Sequence, residues 1–317
     1  MTRYILNRML QALLVLLVMS VVIYSLIGLM PGDPLDLMIA SNPGATPEVV
    51  AHLRAIYGLD QPLMLRYWHW LLAALTGDLG YSRTHSQPVL EVLLPALWQT
   101  CKLMIISFVV SVLLSFVLGI IAALRPGGWA DGLINLVAFA GISVPVFWLA
   151  LMMILIFAVK LHWFPASGVS SIEDGGLMDQ ARHLVMPVIT LALATTGGFI
   201  RYVRASMIEV LRMDHVRTAR AKGASRSRVV LIHAFRNALI PVVTVMALSF
   251  GTLFNGALLT ETMFAQPGMG KMIYDSILGN DFNLALTGLL FATLVTLLSN
   301  LAADVAYGWL DPRISVS

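Results

Sequence analysis

Six stretches of this 317-residue chain are apolar for longer than a water-soluble fold can use: 10–30, 103–124, 133–159, 184–200, 239–259 and 284–303. A helix needs ~20 mainly apolar residues to cross the ~30 Å hydrocarbon layer. Five of the runs meet that length, and the fourth sits near the lower limit of ~17. Inside lipid every backbone N–H and C=O must find a partner within the protein, which a helix provides by itself. Composition agrees: charged residues make up 12% of the chain, against roughly 25% in soluble proteins. The expected fold class is therefore an all-α polytopic membrane protein with six transmembrane helices. The single cysteine, Cys101, excludes an internal disulfide and a cysteine-based zinc cluster.

Arg3 and Arg8 precede the first run, as they would in a signal peptide. The run exceeds the 7–15 residues of such a segment, and Pro31-Gly32-Asp33-Pro34 follows it in place of a small-x-small cleavage site. It reads as a retained anchor helix. Positive loops stay in the cytoplasm. With the N-terminus inside, six spans put 1–9, 125–132, 201–237 and 309–317 on the cytoplasmic side, where 13 of the 20 basic residues fall. Twelve of the 17 acids fall on the other side. Both termini are expected inside.

Residues 62–75, with Tyr67, Trp68 and Trp70, could mimic a seventh span. Fourteen helical residues rise only ~21 Å, and Arg66 and His69 would lie in lipid at a cost. The stretch reads as a helix lying at the interface. Around it, Thr46-Pro47-Glu48 looks like a helix start and Gly58 a stop, and Gln87-Pro88 opens a further helical stretch leading into the second span. The organisation expected is an anchor helix with an outer lid of short helices (1–98), followed by a five-helix core (99–317).

Within the spans, Ser107, Ser111, Ser115 and Gly119 recur every four residues and read as a helix-packing face. Pro145 should kink the third span, either as a static bend or as one that shapes a pathway. Pro145 and Asn255 are the pathway or hinge candidates. Asn300 and Asp304 fit a helix cap or an inter-helix hydrogen bond better than a proton relay. Gly268-Met269-Gly270-Lys271-Met272 is not a phosphate-binding loop: Ala265 stands where the first glycine belongs, and Met272 replaces the magnesium-holding Ser or Thr. The seven histidines match no metal spacing, and no nucleophile constellation occurs. No cofactor, metal or nucleic acid is expected on this chain.

Segment 201–237 holds nine basic residues against two acids, Glu209 and Asp214. Its centre, Arg217-Thr218-Ala219-Arg220-Ala221-Lys222-Gly223-Ala224, reads as an amphipathic helical hairpin bending at Gly223, with small residues clustered around the bend. A plain retention loop would explain the charge but not that clustering.

The run from Asp214 to Ala224, continuing to Arg236-Asn237-Ala238-Leu239-Ile240-Pro241, resembles the signature of binding-protein-dependent permeases of ABC importers, specifically the dipeptide/oligopeptide/nickel group. Pro31-Gly32-Asp33-Pro34, Gly58-Leu59-Asp60-Gln61-Pro62, Gly77-Asp78-Leu79-Gly80, Gln266-Pro267-Gly268-Met269-Gly270 and Asp311-Pro312-Arg313 are similar to segments of that group in the same order. The broader signature begins Glu-Ala-Ala and ends near Leu-Pro; here Arg217-Thr218-Ala219 and Phe235-Arg236 hold those places. The resemblance implies a non-enzymatic subunit in the bacterial inner membrane that forms half of a translocation pathway for peptides or similar solutes. It implies coupling through residues 217–224 to two ATP-binding subunits, which carry ATP and magnesium. A second homologous permease, as a heterodimer, and an extracytoplasmic solute-binding protein complete the assembly. Phe264, Gln266, Pro267, Gly268 and Met269 become candidates for contact with that protein. A nickel, metallophore or opine importer, an ion-gradient transporter and a non-transporting scaffold stay open at this point.

Overall fold

The computed structural model describes residues 2–29, 60–171 and 175–310. The expected short helix near Thr46 and the motifs at Pro31-Gly32-Asp33-Pro34 and Asp311-Pro312-Arg313 lie outside them. The elements in order are α1 (Thr2–Gly28), α2 (Leu63–Leu75), a two-stranded hairpin of β1 (Tyr81–Ser82) and β2 (Gln87–Pro88), and α3 (Val89–Leu124). Next come α4 (Trp129–Ser143), α5 (Val146–Met153) with a π-helical extension Ile154–Lys160, α6 (Leu177–Leu211) and α7 (Asp214–Ala221). One turn, Arg226–Arg228, and a π-helical stretch, Val229–Ala234, lead into α8 (Phe235–Ser249). A 3₁₀ turn then joins α8 to α9 (Leu253–Met263), followed by α10 (Met269–Leu278) and α11 (Phe282–Leu310).

Among the described residues, four helices carry a membrane-crossing length of apolar sequence: α1, α3, α6 and α11. Two bent pairs bring the total to as many as six if each pair is one span. The third apolar run is not the single kinked helix expected. Its halves meet at 106°. Val144 (ψ 125°) and Pro145 (ψ 138°) are both extended, so helix α4 stops at Ser143 and α5 starts afresh. A residue before proline is pushed out of the α region, and proline is well suited to begin the next helix. The helical stretch foreseen to open at Gln87-Pro88 is the first part of α3, which starts at Val89 and runs unbroken into the span for 36 residues, ~54 Å.

The Ser107, Ser111, Ser115 and Gly119 face is fully buried against α6. Thr195 and Thr196 both donate to the Ser111 hydroxyl, at 3.0 and 3.1 Å, and a Cβ on Gly119 would come within 2.6 Å of Val203. These pairings run in the same sense along both helices, so α3 and α6 are parallel. Gly197 is where α4 crosses α6: a Cβ there would lie 2.2 Å from the Ala138 carbonyl oxygen. Helices α1 and α11 are antiparallel. Tyr24 packs edge-on against Phe282 near one end of the pair, and Arg8 pairs with Asp304 at 3.2 Å near the other. Asp304 thus serves an inter-helix ion pair, in line with the packing reading of that residue.

Helix α2 packs through Tyr67, whose ring meets Tyr24 and Trp70 and whose hydroxyl lies 2.9 Å from that of Ser20. Thirteen residues, ~20 Å, are too few to span a bilayer. The turn after α2 uses Gly77 and Gly80, both at positive φ (91° and 81°), with the Asp78 carboxylate accepting the Gly80 N–H.

The hairpin is fastened to α11 by Asp281, which is 1% exposed. Its carboxylate accepts from the hydroxyls of Ser82 and Thr84 at 2.6 and 2.7 Å, from the Thr84 N–H at 2.9 Å and from the Leu284 N–H at 3.3 Å. Burial alone would push this carboxyl up; the donors outweigh it and hold it below the usual carboxylate range. A depressed native value means that the stabilisation is complete above ~3.9, the unfolded aspartate value, and is lost as pH falls through the lower native value. Asp281→Ala removes both the helix cap and the anchor, and should cost about 2 kcal/mol at neutral pH. Thermal unfolding in detergent measures it: the gap from wild type should be full at pH 7 and narrow below about pH 4.

Candidate functional site

The two ends of the helix array have different chemistry. At the end where α3 begins, Val89 and Leu93 pack with Met269, Ile273 and Leu284. At the end where α3 finishes, Ala123 packs with Val203, Met207, Val216 and Val230. Helix α3 separates these clusters by most of its length.

The second end carries α7. Asp214 lies in its first turn, where a negative charge suits the helix dipole. Val216 and Ala219 face inward against Val210, Val229 and Val230, while Arg217, Thr218, Arg220, Ala221 and Lys222 are exposed. The helix then stops at Gly223, φ +82°. The Gly223 N–H donates to the Arg220 carbonyl at 2.9 Å, and the Ala224 N–H to the Ala219 carbonyl at 3.1 Å. That pair of bonds is a Schellman closure, which needs a residue at positive φ after the helix. A Cβ on Gly223 would meet nothing within 4 Å, so within this chain glycine serves the backbone angle. The Ser225 hydroxyl accepts from the Arg228 N–H and starts the next turn. The bend foreseen at Gly223 is present. Ala219, 8% exposed, helps to seat α7 against its own chain.

Segment 201–237 is less of a loop than the sequence implied, because α6 continues to Leu211. Arg204 lies within that extension and is not a free surface cation. Its Nε and Nη2 reach the two oxygens of Asp131 at 2.6 and 2.8 Å. Asp131, 4% exposed, also accepts from the Gly127 N–H and the Asn135 amide. A bidentate guanidinium–carboxylate pair fixes orientation as well as distance, so the start of α4 is locked to the C-terminal part of α6. Sequence reading missed this pair, since Asp131 and Arg204 are 73 positions apart and no local pattern joins them.

At the first end, the proposed contact residues turn out to be mostly interior. Phe264 and Met269 are at most 1% exposed, and Gln266 and Gly268 are buried too; Pro267 stands out at the surface. The physical reason is Glu261, 1% exposed and also unnoticed in the sequence. Its carboxylate accepts from the Thr100 hydroxyl of α3 and from the Lys271 N–H at 3.1 Å. Thr100 in turn accepts the Met269 N–H at 2.8 Å. The positive end of α10 is thereby satisfied from within. The turn wraps so closely that a Cβ on Gly268 would lie 2.1 Å from the Glu261 carboxyl carbon, and one on Gly270 2.6 Å from the Leu258 Cα. The Gln266 side chain donates to the Gly168 carbonyl at 2.6 Å. Gln266-Pro267-Gly268-Met269-Gly270 is therefore a packed turn around a buried acid. Pro145 stands at the 106° break described above, and Asn255 lies in α9, where its side chain is not described.

Among the described residues no group of three His, Cys, Asp or Glu side chains is arranged to hold a metal ion. Two family profiles cover the chain almost end to end: "Binding-prot-dependent transport system membrane comp, N-term" over residues 1–104, and "Binding-protein-dependent transport system inner membrane component" over residues 115–316. The chain belongs to the binding-protein-dependent ABC-importer permeases. Within that family it is 36% identical to the dipeptide transport system permease protein DppB of Alkalihalophilus pseudofirmus, over 99% of both chains. It is 37% identical to the glutathione transport system permease protein GsiC of Escherichia coli O6:H1 and 38% to that of Salmonella typhimurium, again over 99% of each chain. These relatives put this permease in the dipeptide/oligopeptide group. Among solved structures, one from the inward-facing MetNI methionine ABC transporter shares the fold, with a TM-score of 0.56 at 17% identity over 70% of this chain and 97% of that one. The permease is a multi-pass membrane subunit and not an enzyme; ATP hydrolysis belongs to partner ATPases. Its family membership implies association with ATP-binding subunits and a solute-binding protein.

Proposed function

We propose that this permease forms half of a peptide pathway in the bacterial inner membrane, with six spans and both termini in the cytoplasm, and that α7 is its contact with an ATP-binding subunit. The other half comes from a homologous permease in a heterodimer, and the transported solutes are dipeptides, glutathione or peptides of similar size. The substrate class follows from the relatives' names, and the partner subunits from the family. Residues 217–224 carry the coupling role. The observation that supports this most is α7 itself: a short helix pinned from behind by Val216 and Ala219, closed at Gly223, and presenting Arg217, Ala221 and Lys222 outward.

The orientation draws on helix directions as well as charge. Helices α3 and α6 run parallel toward the α7 end, while α1 runs antiparallel to α11, with Arg8 and Asp304 pairing away from the Asp281 end. An odd crossing between α3 and α6 is then required, and the bent pair α4–α5 supplies it as one span. Single cysteines at Ser170 and Ser225 in a Cys101→Ser background test the topology; both serines are exposed. A membrane-impermeant thiol reagent added outside intact cells should label position 170 and spare 225. Labelling of 225 with 170 protected would reverse the orientation.

A further inference from the structure

Helices α4 and α5 follow α6 in the opposite direction along its length. Asp131 meets Arg204, a Cβ on Gly197 would touch the Ala138 carbonyl, and one on Gly141 would lie 3.2 Å from the Leu193 carbonyl oxygen. Past the break, Ala150 and Met153 pack in one cluster with Met186 and Ile189. Between Gly141 and Ala150 the chain therefore makes little headway along α6 and turns aside, as the 106° angle requires. Residues 189–193 are the middle of the apolar run 184–200. The break lies near the centre of the bilayer.

At that depth the backbone is left open on both sides of the break. The last intrahelical bond of α4 runs from the Val144 N–H to the Ala140 carbonyl, and the first of α5 from the Leu149 N–H to the Pro145 carbonyl. Pro145 has no N–H to give. The N–H groups of Val146, Phe147 and Trp148 find no acceptor among the described residues, and no side chain caps α5. The carbonyls of Gly141, Ile142 and Ser143 likewise receive no donor among them. Ile142, Ser143, Pro145, Phe147 and Trp148 are exposed around these groups. Lipid tails offer nothing to a free N–H or C=O, so irregular backbone at mid-membrane is tolerated only inside protein or beside water.

A neighbouring span could cover the break only by bringing acceptors for three N–H groups and donors for three carbonyls, whereas an ordinary span has spent its own backbone groups internally. Water supplies both kinds of partner at once. We infer that the α4–α5 break lines the water-filled solute pathway at mid-membrane, with Ser143 and Phe147 facing the passing solute. The inference rests on the reading of this chain as half of a pathway and adds where that pathway runs. Pro145 then serves the pathway by ending one helix and starting the next, which leaves wet backbone where a continuous helix would leave none.

The test places single cysteines at Ser143, Phe147 and Leu17 in a Cys101→Ser background, within the full transporter in lipid nanodiscs. Leu17 is exposed midway along α1, between Arg8 and Tyr24. Both faces of a nanodisc meet buffer, so the outcome does not depend on the orientation of the chain. Thiols react as thiolates, which form in water and not in lipid. A charged, water-soluble methanethiosulfonate should modify positions 143 and 147 at least about tenfold faster than position 17. In vesicles the same reagent should block dipeptide uptake by Ser143→Cys and leave the Cys101→Ser parent active. If the parent moves no dipeptide, the substrate reading fails, and the labelling rates still decide this one. Rates at 143 and 147 as slow as at 17, with an apolar pyrene maleimide labelling all three, would put the break in lipid and overturn the inference. No labelling by either reagent, with a disulfide from 143 to the second permease, would bury it in the subunit interface and overturn it too. Fast labelling that leaves uptake intact would make the break a wet crevice off the pathway, which equally contradicts the inference.

Discussion

Gly223→Asp should abolish solute uptake while the permease still inserts and melts near the wild-type temperature. Position 223 closes α7 at φ +82°, a conformation that a non-glycine residue adopts at a cost of about 1 kcal/mol. Aspartate is among the residues that tolerate it best, and its side chain meets open space, so the fold should survive. What changes is the exposed surface around the bend, where a carboxylate now stands beside Lys222 and Ala224. In water that charge is solvated; pressed against a second protein without a partner, it is not. In vesicles containing the full transporter, uptake should fall at least tenfold, and solute-stimulated ATP hydrolysis should fall with it or proceed without transport. Gly223→Ala separates backbone from charge, since it keeps the strain and adds no carboxylate; it should retain most of the uptake.

Gly268→Ala should be the more damaging change for folding, although it adds a single methyl group. Gly268 has φ −89°, so its backbone suits any residue, and the obstacle is the Glu261 carboxylate 2.1 Å from the new Cβ. To make room, the carboxylate must leave Thr100 and the first turn of α10, which unseats a buried acid from its donors. Overpacking costs 1–3 kcal/mol and the lost hydrogen bonds add to it, for a total of roughly 3–5 kcal/mol. Yield of monodisperse protein and melting temperature should both drop sharply, whereas Gly132→Ala, whose Cβ meets nothing within 4 Å, should be neutral. Adding Glu261→Ala removes the obstructing group, so the double variant should be less destabilised than the two single changes together imply. Strict additivity would mean that the glycine is there for some other reason.

The parts of the fold that were legible in the sequence are those governed by local composition. Apolar length marked the positions of α1, α3, α6 and α11, the four-residue recurrence of Ser107 to Gly119 marked a real packing face, and Gly223 marked the end of a helix. The missed features depend on partners far along the chain. Asp131 and Arg204 meet across two helices, Asp281 gathers donors from a hairpin about 200 residues earlier, and Glu261 takes one from Thr100. No local pattern around any of those acids names its partner. The glycine and proline content of 266–270 indicated a turn correctly, but it reads the same whether the turn faces a partner or folds around a buried carboxylate. Proline 145 showed that the third run must bend; that the bend reaches 106° depends on Val144 being extended as well, which sequence constrains only as a bias.

The account rests above all on α7 as the place where an ATP-binding subunit seats. Placing one cysteine at Ala221, which is exposed on α7, and a control at Trp129, which is exposed at the same end on α4, probes this directly in a Cys101→Ser background. A short homobifunctional reagent with cysteine-scanned ATP-binding subunits should link position 221 to the ATPase, in a yield that changes with nucleotide, and should leave 129 unlinked. Absence of any link from 221 in a complex that still transports would contradict the assignment of α7 as the coupling helix.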